Sequence, residues 1–287
     1  MHNYQKEVWT KFLPYQVEPS YPVYPPYHQG PYLEDYFRSR FLESDPETER
    51  IFIPVSWTTI YIENKIAGLQ QALDSFDRGK KYFTVAQHDD AIRESLPPDT
   101  MQFNAGGNGN GIPIPLICSP IPDGLIPRHS PSILASFVGS VTHPHRANML
   151  VTLQNNPDYV FRAKRWTEGV SDVELRTFID ITTRSIFCLC PRGYGKSSFR
   201  MYESLQLGAI PVYIHDDGDP WSPFMDELDW SEFSVLIPAS QISSIDSRLK
   251  SIVAQEGKVD SMKRKGKEVW ESHFTLPGFY NQIIKRI

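Results

Sequence analysis

One uninterrupted block, residues 185–216, constrains the fold more than any other part of the chain. Its sequence is SIFCLCPRGYGKSSFRMYESLQLGAIPVYIHD. The apolar run at its start predicts a buried strand, and the run Ile210–Ile214 predicts a second one. Between the two runs, Ser197 or Ser198 can cap a helix that stops at Gly208. A strand, a helix and a strand in this order indicate a parallel sheet with a right-handed crossover.

The turn between the first strand and the helix is basic and contains two glycines. Arg192, Gly193, Gly195 and Lys196 lie just before a helix N-terminus, where free backbone N–H groups and cations bind phosphate. The Gly-Lys-Ser sequence is not a P-loop, because Cys190 stands where a P-loop needs its first glycine. The third glycine of the dinucleotide fingerprint is also absent. The turn therefore predicts a nucleotide-type ligand but not an NTPase.

The helix of the block carries Arg200 and Glu203, which are three residues apart and share one face. They could form a surface ion pair worth less than about 1 kcal/mol. Alternatively, Arg200 could bind a diphosphate, and Glu203 could accept hydrogen bonds from two ribose hydroxyls. The spacing alone leaves both interpretations open.

The block resembles the C-terminal half of the exostosin-type glycosyltransferases. The family pattern is Cys-Leu-x-Pro-x-Gly, then Ser, Arg and Glu, then Gly-x-Ile-Pro-Val and a loop with Pro-Phe. The matching residues are Cys188, Leu189, Pro191, Gly193, Ser198, Arg200, Glu203, Gly208, Ile210, Pro211, Val212, Pro223 and Phe224. Looser similarities lie in residues 31–44, 45–57, 79–90 and 137–150, so the resemblance extends over roughly residues 20–280.

The resemblance implies an α/β fold of GT-B architecture, in which two Rossmann-like domains face each other across a central cleft. Residues 1–132 are then the acceptor-binding domain, which includes an extended N-terminal arm. Residues 133–287 are the nucleotide-sugar-binding domain, and their last helix is expected to pack back on the first domain. Open α/β sheets bind ligands beyond the carboxyl ends of their strands, so the cleft is the expected active site.

The family also implies a function. Its members are inverting, metal-independent enzymes that move a sugar from a UDP-sugar to a hydroxyl group of a glycan acceptor. The UDP-sugar is a co-substrate, no cofactor is expected, and the acceptor is an oligosaccharide or a glycoprotein glycan. UDP-xylose is the working choice of donor, and the small size of the chain would suit an algal virus or a microbe. Two alternatives stay open, a lectin-like module without activity and a metal-dependent transferase that uses Asp217 and Asp219.

An inverting transfer requires a base for the acceptor hydroxyl and stabilisation of the leaving diphosphate. Asp89 and Asp90 are the preferred base candidates, followed by His88 and Glu34, with Asp123 and His129 as weaker ones. The donor-binding candidates are Arg146, Arg192, Gly193, Ser198, Arg200 and Glu203, with Lys196 secondary. Trp221 and Phe224 could stack on the donor or fill the cleft wall. No metal ligand is assigned.

Each of these residues also has an ordinary structural interpretation. Asp90 could cap a helix that starts at Ala91, and Ser198 could serve only as a helix cap. Arg146 could be a solvated surface arginine, and Glu34 an exposed helix carboxylate. The sequence does not decide between these roles and the functional ones.

The composition excludes several classes of protein. A net charge of −5 argues against a nucleic-acid partner. No run of about 18 apolar residues is present, and the N-terminus lacks the apolar core of a signal peptide. The expected location is therefore cytoplasmic or otherwise soluble, or the Golgi lumen if an anchor has been removed. Three cysteines form no disulfide framework, so core packing is preferred for Cys188 and Cys190 over a redox pair or metal site.

Periodicity predicts the secondary structure of the whole chain. Helices are expected over 32–42, 61–76, 144–154, 172–182, 198–207, 242–254, 258–272 and 277–287. Strands are expected over 51–55, 82–86, 113–118, 134–138, 159–162, 186–190, 210–214 and 233–237. Residues 1–30, rich in Tyr and Pro, are expected to be extended, and residues 104–111 to form a flexible Gly/Asn loop.

Overall fold

A computed structural model describes residues 3–18, 32–117, 120–167, 170–218 and 220–287. Two parallel β-sheets organise these residues, and the chain completes the first sheet before it enters the second. No helix among the described residues is long and apolar enough to cross a membrane.

The first sheet has four strands in the order of the sequence. They are β1 (Ile51–Phe52), β2 (Tyr82–Ala86), β3 (Thr100–Asn104) and β4 (Ile112–Pro113), and each pairs in parallel with the next. Its helices are α1 (Asn3–Lys11), α2 (Leu33–Ser44), α3 (Trp57–Ile62) and α4 (Leu69–Asp74). Every residue of β2 is buried, as expected for a central strand covered on both faces.

The second sheet has five parallel strands in the order β6-β5-β7-β8-β9. They are β5 (Ile133–Ser140), β6 (Tyr159–Lys164), β7 (Ser185–Pro191), β8 (Ile210–His215) and β9 (Val235–Pro238). Its helices are α5 (Pro144–Leu153), α6 (Asp172–Thr183), α7 (Phe199–Gln206), α8 (Ile245–Val253), α9 (Lys258–His273) and α10 (Leu276–Ile284). Two parallel α/β sheets of this kind confirm the predicted α/β class and GT-B architecture.

Helix α10, the last helix of the chain, packs against the first sheet and its helix α2. The Phe279 ring lies 5.8 Å from that of Phe37, and the Tyr280 ring lies 5.1 Å from it. The hydroxyl groups of Ser44 and Tyr280 are 2.5 Å apart. The last helix therefore joins a cluster of buried rings that also includes Phe52 and Phe83. The domain boundary at residue 132 stays a prediction, and β5 begins at Ile133.

The first half differs from the sequence prediction at its N-terminus. Residues 3–11 form helix α1 where an extended arm was expected, while residues 19–31 lie outside the described part. The helix is held because the Gln5 side chain donates to the Phe52 carbonyl and accepts from the Phe52 N–H, at 3.0 and 2.8 Å. Val8 within this helix and Phe12 just after it are buried. This anchoring depends on a strand more than 40 residues away.

Two further predictions for the first half were wrong. The helix expected over 61–76 is split, because Asn64 and Gly68 take left-handed φ angles of 54° and 76°. The strand expected over 113–118 is only the two-residue β4, and Cys118 lies outside the described residues. In addition, β3 was not predicted. It exists because residues 100–104 pair along their whole length with β2.

Candidate active site

A cavity of ≈ 680 Å³ lies beyond the carboxyl ends of the strands of both sheets. Gln87, His88 and Asp89, which directly follow β2, line it from the first sheet. Gly139 and Ser140 at the end of β5 and the turn after β7 line it from the second sheet. Parallel strands bring these segments to one edge, which is where open α/β sheets bind ligands.

The turn after β7 faces the cavity with backbone and small side chains. Gly193 and Ser198 are both in its lining. Ser198 is the N-cap residue of α7, but its side chain makes no capping hydrogen bond. Its hydroxyl group is therefore available to a ligand at a helix N-terminus, where an anion is favoured.

Arg146 is built into the cavity wall and is only 8% exposed, so it is not a solvated surface arginine. Its Nε donates to the Arg192 carbonyl at 3.0 Å, and its Nη1 donates to the Ser140 carbonyl at 2.7 Å. The guanidinium also lies over the Phe137 ring, 5.9 Å from the centroid. These contacts fix a permanent positive charge at the edge of the cavity.

Arg200 supplies a second cation to the same wall. Its guanidinium stacks over Phe137 at 5.0 Å, and Gly139 leaves the space for it, because a β-carbon there would overlap the guanidinium. The Nε atom of Arg200 is buried and has no hydrogen-bond partner in the structure. Glu203, one turn along α7, also lines the cavity. A buried unpaired donor is unusual, and it marks this wall as a place for an acceptor-rich ligand.

Asp89 is the carboxylate of the opposite wall. Burial, and after it the charge of Asp90, raises the pKa of Asp89 to about 6, although the Arg192 cation acts in the opposite direction. A carboxylate with this pKa is ionised at neutral pH and is a stronger base than an ordinary aspartate. The cavity thus contains a carboxylate with a raised pKa from the first sheet together with Arg146 and Arg200 from the second.

The contact between the two walls involves loops rather than regular elements. The Ser197 N–H donates to the Gly106 carbonyl at 3.2 Å. A β-carbon at Gly195 would overlap the Asp89 carboxylate and the Gly106 carbonyl, and one at Gly106 would overlap the Asp89 backbone. The Gly/Asn loop of the first sheet therefore packs directly on the turn after β7. The glycines were visible in the sequence, but nothing in it indicated that they meet.

The family model described as the Exostosin GT47 domain matches residues 95–252, which is more than half of the chain. The chain belongs to the exostosin GT47 family. The match includes the Gly/Asn loop, Arg146 and the whole turn after β7. It therefore covers most of the cavity wall and leaves out Glu34, His88, Asp89 and Asp90.

Curated relatives of this GT47 chain are named as glycosyltransferases. A probable glycosyltransferase of Arabidopsis thaliana is 36% identical over 132 residues, covering 45% of this chain and 24% of the relative. A probable beta-1,4-xylosyltransferase of the same plant is 33% identical over 107 residues, covering 37% and 23%. An Exostosin-1 homolog of Caenorhabditis elegans is 27% identical over 152 residues, covering 51% and 38%. The matched stretch thus spans about a quarter of the plant relatives' length.

Solved structures that resemble this chain include two glycosyltransferases. The pneumococcal O-GlcNAc transferase GtfA superposes with a TM-score of 0.43 at 14% identity, covering 78% of this chain and 47% of its own. AviGT4, a glycosyltransferase involved in avilamycin A biosynthesis, superposes with a TM-score of 0.42 at 12% identity, covering 88% and 87%.

Arg192 of this GT47 chain lies outside the cavity lining, whereas Arg146, Gly193, Ser198, Arg200 and Glu203 belong to it. Its guanidinium donates to the Asp216 carboxylate, to Asn108 Oδ1 at 2.9 Å and to the Tyr194 carbonyl at 2.7 Å. Asn108 belongs to the first sheet's Gly/Asn loop, so Arg192 ties the turn to that loop. A direct role in donor binding does not fit this geometry, since the guanidinium is already surrounded by acceptors.

The other base candidates occupy different positions. His88 lines the cavity, and burial lowers its pKa. Asp90 lies outside the lining, where it accepts hydrogen bonds from Arg93 at 3.1 Å and from Tyr194 at 3.3 Å. No helix begins at Ala91, so the capping role considered for Asp90 is wrong.

Glu34 lies behind the cavity wall and not in it. It is 2% exposed, so it is not an exposed helix carboxylate. Its carboxyl group accepts from the Thr58 N–H at 2.5 Å and from the Gln87 N–H at 3.0 Å. Burial, and after it the neighbouring Asp35 charge, raises the pKa of Glu34. This geometry suits a residue that fixes the position of Gln87, which follows β2 and directly precedes His88 and Asp89.

The remaining candidates that the structure describes lie outside the cavity lining. Asp217 is exposed and accepts from the Ser240 N–H at 3.0 Å, and Asp219 lies outside the described residues. Lys196 lies over the Trp221 ring at 5.8 Å, and Phe224 is buried against Phe274. The other residues of this group are Asp123 and His129.

Several lining residues were missed in the sequence. The cavity is lined by Arg162 and Lys164 of β6, by Trp166 just after it and by Phe178 of α6. Trp166 is 54% exposed, which is unusual for so large an apolar side chain. Arg162 is in the predicted strand 159–162 and Phe178 in the predicted helix 172–182, so the sequence holds no shared signal for these residues.

Proposed function

We propose that this chain is a metal-independent, inverting glycosyltransferase that moves a sugar from a UDP-sugar to a hydroxyl group of a glycan. The observation that carries the proposal is that Asp89, from the first sheet, and Arg146 and Arg200, from the second, line one cavity of ≈ 680 Å³. An inverting transfer needs a base and cationic groups in one site, because the acceptor hydroxyl loses a proton while the diphosphate leaves with negative charge. The glycosyltransferase names of the relatives support the same reaction.

In the proposed reaction, the acceptor hydroxyl oxygen attacks the anomeric carbon while Asp89 takes the hydroxyl proton. The bond from the anomeric carbon to the UDP oxygen breaks, and UDP leaves with the bonding electrons. Arg146, Arg200 and the Ser198 hydroxyl group stabilise the negative charge that develops on the diphosphate. No other proton transfer is required.

Glu203 is assigned to the ribose of the donor, because a carboxylate can accept hydrogen bonds from two neighbouring hydroxyl groups. It lies one helical turn from Arg200, so the two residues can contact adjacent parts of one nucleotide. UDP-xylose remains the working choice of donor, and UDP-glucuronic acid is the main competitor, since relatives are named for both sugars. The acceptor is assigned as an oligosaccharide or a glycoprotein glycan.

Donor binding is tested first, by thermal denaturation of the full chain with UDP, GDP and a panel of UDP-sugars. A ligand that binds only the native state raises the melting temperature, and at a hundredfold excess over Kd the gain is about 2.7 kcal/mol. We expect a shift with UDP compounds and a smaller one with GDP. The absence of a shift with every UDP compound would contradict the proposal.

Turnover is then measured as UDP release with glycan acceptors. Arg146→Ala should lower the rate by about a hundredfold or more, the typical effect of removing one group that stabilises transition-state charge. Glu203→Ala removes a ribose contact, so it should lower the rate at subsaturating donor by raising KM. Arg248→Ala and Glu256→Ala are matched controls, because both residues are exposed and lie outside the cavity lining. Unchanged turnover in the first two variants would remove the donor assignment.

The same assay separates the two alternatives. Full activity in EDTA would exclude a metal-dependent transferase that uses Asp217 and Asp219. A lectin-like module would bind glycan or nucleotide without releasing UDP.

A further inference from the structure

Two histidines and an aspartate that the transfer reaction does not use meet beside the turn after β7. His143 is the N-cap residue of α5, His145 lies in its first turn, and Asp216 directly follows β8. His145 Nε2 and Asp216 Oδ1 are 2.8 Å apart, and the two imidazole rings are 4.5 Å apart. One ligand atom from each of the three residues lies within 4.8 Å of the other two.

We propose that His143, His145 and Asp216 bind a zinc-type transition-metal ion. Two imidazoles and one carboxylate, with a water molecule as fourth ligand, form a common tetrahedral zinc site. The harder ions Mg²⁺ and Ca²⁺ prefer sites made of oxygen ligands. Among the residues that the structure describes, this is the one group of three such side chains placed closely enough to share an ion.

The surroundings of the three side chains are already arranged for coordination. The second oxygen of Asp216 accepts from the Arg192 guanidinium, which leaves Oδ1 directed at His145. The His143 ring is held because its Nδ1 accepts the His145 N–H at 3.2 Å. Outer contacts of this kind orient metal ligands in known sites. All three residues are half-buried, so an ion can reach them from solvent.

Three features weaken the binding without preventing it. The N-terminus of α5 carries a partial positive charge, which disfavours a cation. The Arg192 guanidinium is a second nearby positive charge. The ion must also replace the hydrogen bond between His145 and Asp216. We therefore expect weaker binding than in a four-ligand structural zinc site.

The site is separate from the proposed transfer reaction, since His143, His145 and Asp216 are absent from the cavity lining. Arg192 nevertheless connects it to the donor turn, because the same guanidinium donates to the Tyr194 carbonyl at 2.7 Å. The inference goes beyond the proposed function, and either can fail without the other.

The test is a titration of the full, untagged chain with Zn²⁺ in competition with a chromogenic chelator, after prior removal of bound metal. We expect one equivalent to bind, and Co²⁺ to give the visible absorption of a tetrahedral site. His145→Gln and Asp216→Asn should each weaken binding by more than about tenfold, the loss seen even for outer-shell partners. His143→Asn should do the same, and asparagine retains an N-cap acceptor for α5.

His129→Gln is the matched control, because His129 pairs with Asp180 at 3.4 Å in a similar histidine–carboxylate pair outside the cluster. Its zinc affinity should equal that of the parent chain. Circular dichroism establishes whether each variant is folded. If His143→Asn is not folded, the test rests on His145→Gln. Absence of stoichiometric binding, or equal binding in the cluster variants and the control, would overturn the proposal.

Discussion

At the scale of single residues, the pKa values of the adjacent Asp89 and Asp90 shift in opposite directions, because the two carboxyl groups differ in burial. Asp89 lies against Gly195 and Gly106 and loses hydration, which raises its pKa. Asp90, one residue further on, keeps contact with solvent and accepts hydrogen bonds from Asn108 and Arg93. Burial alone would raise its pKa, but these hydrogen bonds outweigh burial and lower it.

The proposed base predicts the pH dependence of turnover. Asp89 must be ionised to accept a proton, and its raised pKa of about 6 means that it is protonated below that pH. The rate should therefore fall as pH decreases through about 6, and Asp89→Asn should lower it by about a hundredfold or more at neutral pH. Both are measured as kcat/KM for UDP release.

Asp90→Asn is the matched control for that experiment. Because the negative charge of Asp90 raises the pKa of Asp89, its removal should move the acid limb to lower pH and leave the rate at neutral pH largely intact. Loss of activity in Asp90→Asn together with retention in Asp89→Asn would reverse the assignment.

Glu34 should matter for stability because its two oxygens accept separate backbone N–H groups, those of Thr58 and Gln87. Glu34→Gln keeps one acceptor oxygen and presents an amide N–H₂ group to the second N–H. Leaving a buried donor unpaired costs about 1–3 kcal/mol. We expect that decrease in the free energy of unfolding measured in urea, and almost none for Glu47→Gln, an exposed neighbour. Equal effects would show that Glu34 does not hold the strand end.

At the scale of elements, the candidate active site depends on two glycine-containing segments that contact each other. The turn after β7 approaches the loop after β3 so closely that neither Gly195 nor Gly106 can carry a β-carbon without displacing backbone. These contacts also hold Asp89 at the cavity. The local sequence predicts two turns, and only their packing makes them one site.

Gly195→Ala should therefore separate the two segments. Overpacking of this kind should lower the free energy of unfolding by about 1–3 kcal/mol. The displacement of Asp89 should lower the rate of UDP release by more than this loss of stability explains. Gly124→Ala is the control, because no atom lies within 4 Å of a β-carbon there. If Gly195→Ala keeps full activity, the close contact is not needed for the site.

The elements themselves were predicted unevenly. The second sheet follows its apolar periodicity closely, and Gly208, with a φ of 76°, ends α7 where its position suggests. In the first sheet, the sequence predicts no strand at β3 and an unbroken helix through Asn64 and Gly68. Short strands and left-handed residues leave little periodicity in the sequence, because contacts with neighbouring elements determine where they form.

At the scale of the whole molecule, α10 ties the end of the chain to the first sheet. Phe279 is fully buried against Phe37, within the aromatic cluster that also holds Phe83. Phe279→Ala should lower the free energy of unfolding by about 3–5 kcal/mol, because it leaves a cavity in this cluster. Urea denaturation measures the change.

Leu42→Ala is the control for this variant, because Leu42 is 50% exposed on the adjacent helix α2. It should change stability by much less than Phe279→Ala. If the two variants are equally stable, the packing of α10 contributes little to the first sheet.

The sequence by itself determined the α/β class, the strand–turn–helix–strand block, and the positions of Ser198, Arg200 and Glu203. These follow from apolar periodicity and turn chemistry, which act between residues close together in the chain. The tertiary structure decided which side chains face the cavity. Arg192 turns away because its partner Asn108 comes from a loop 84 residues earlier, whereas Asp89 acquires its pKa from burial between the two walls. Contacts over such separations leave no periodic signal in the sequence, so only folding defines them.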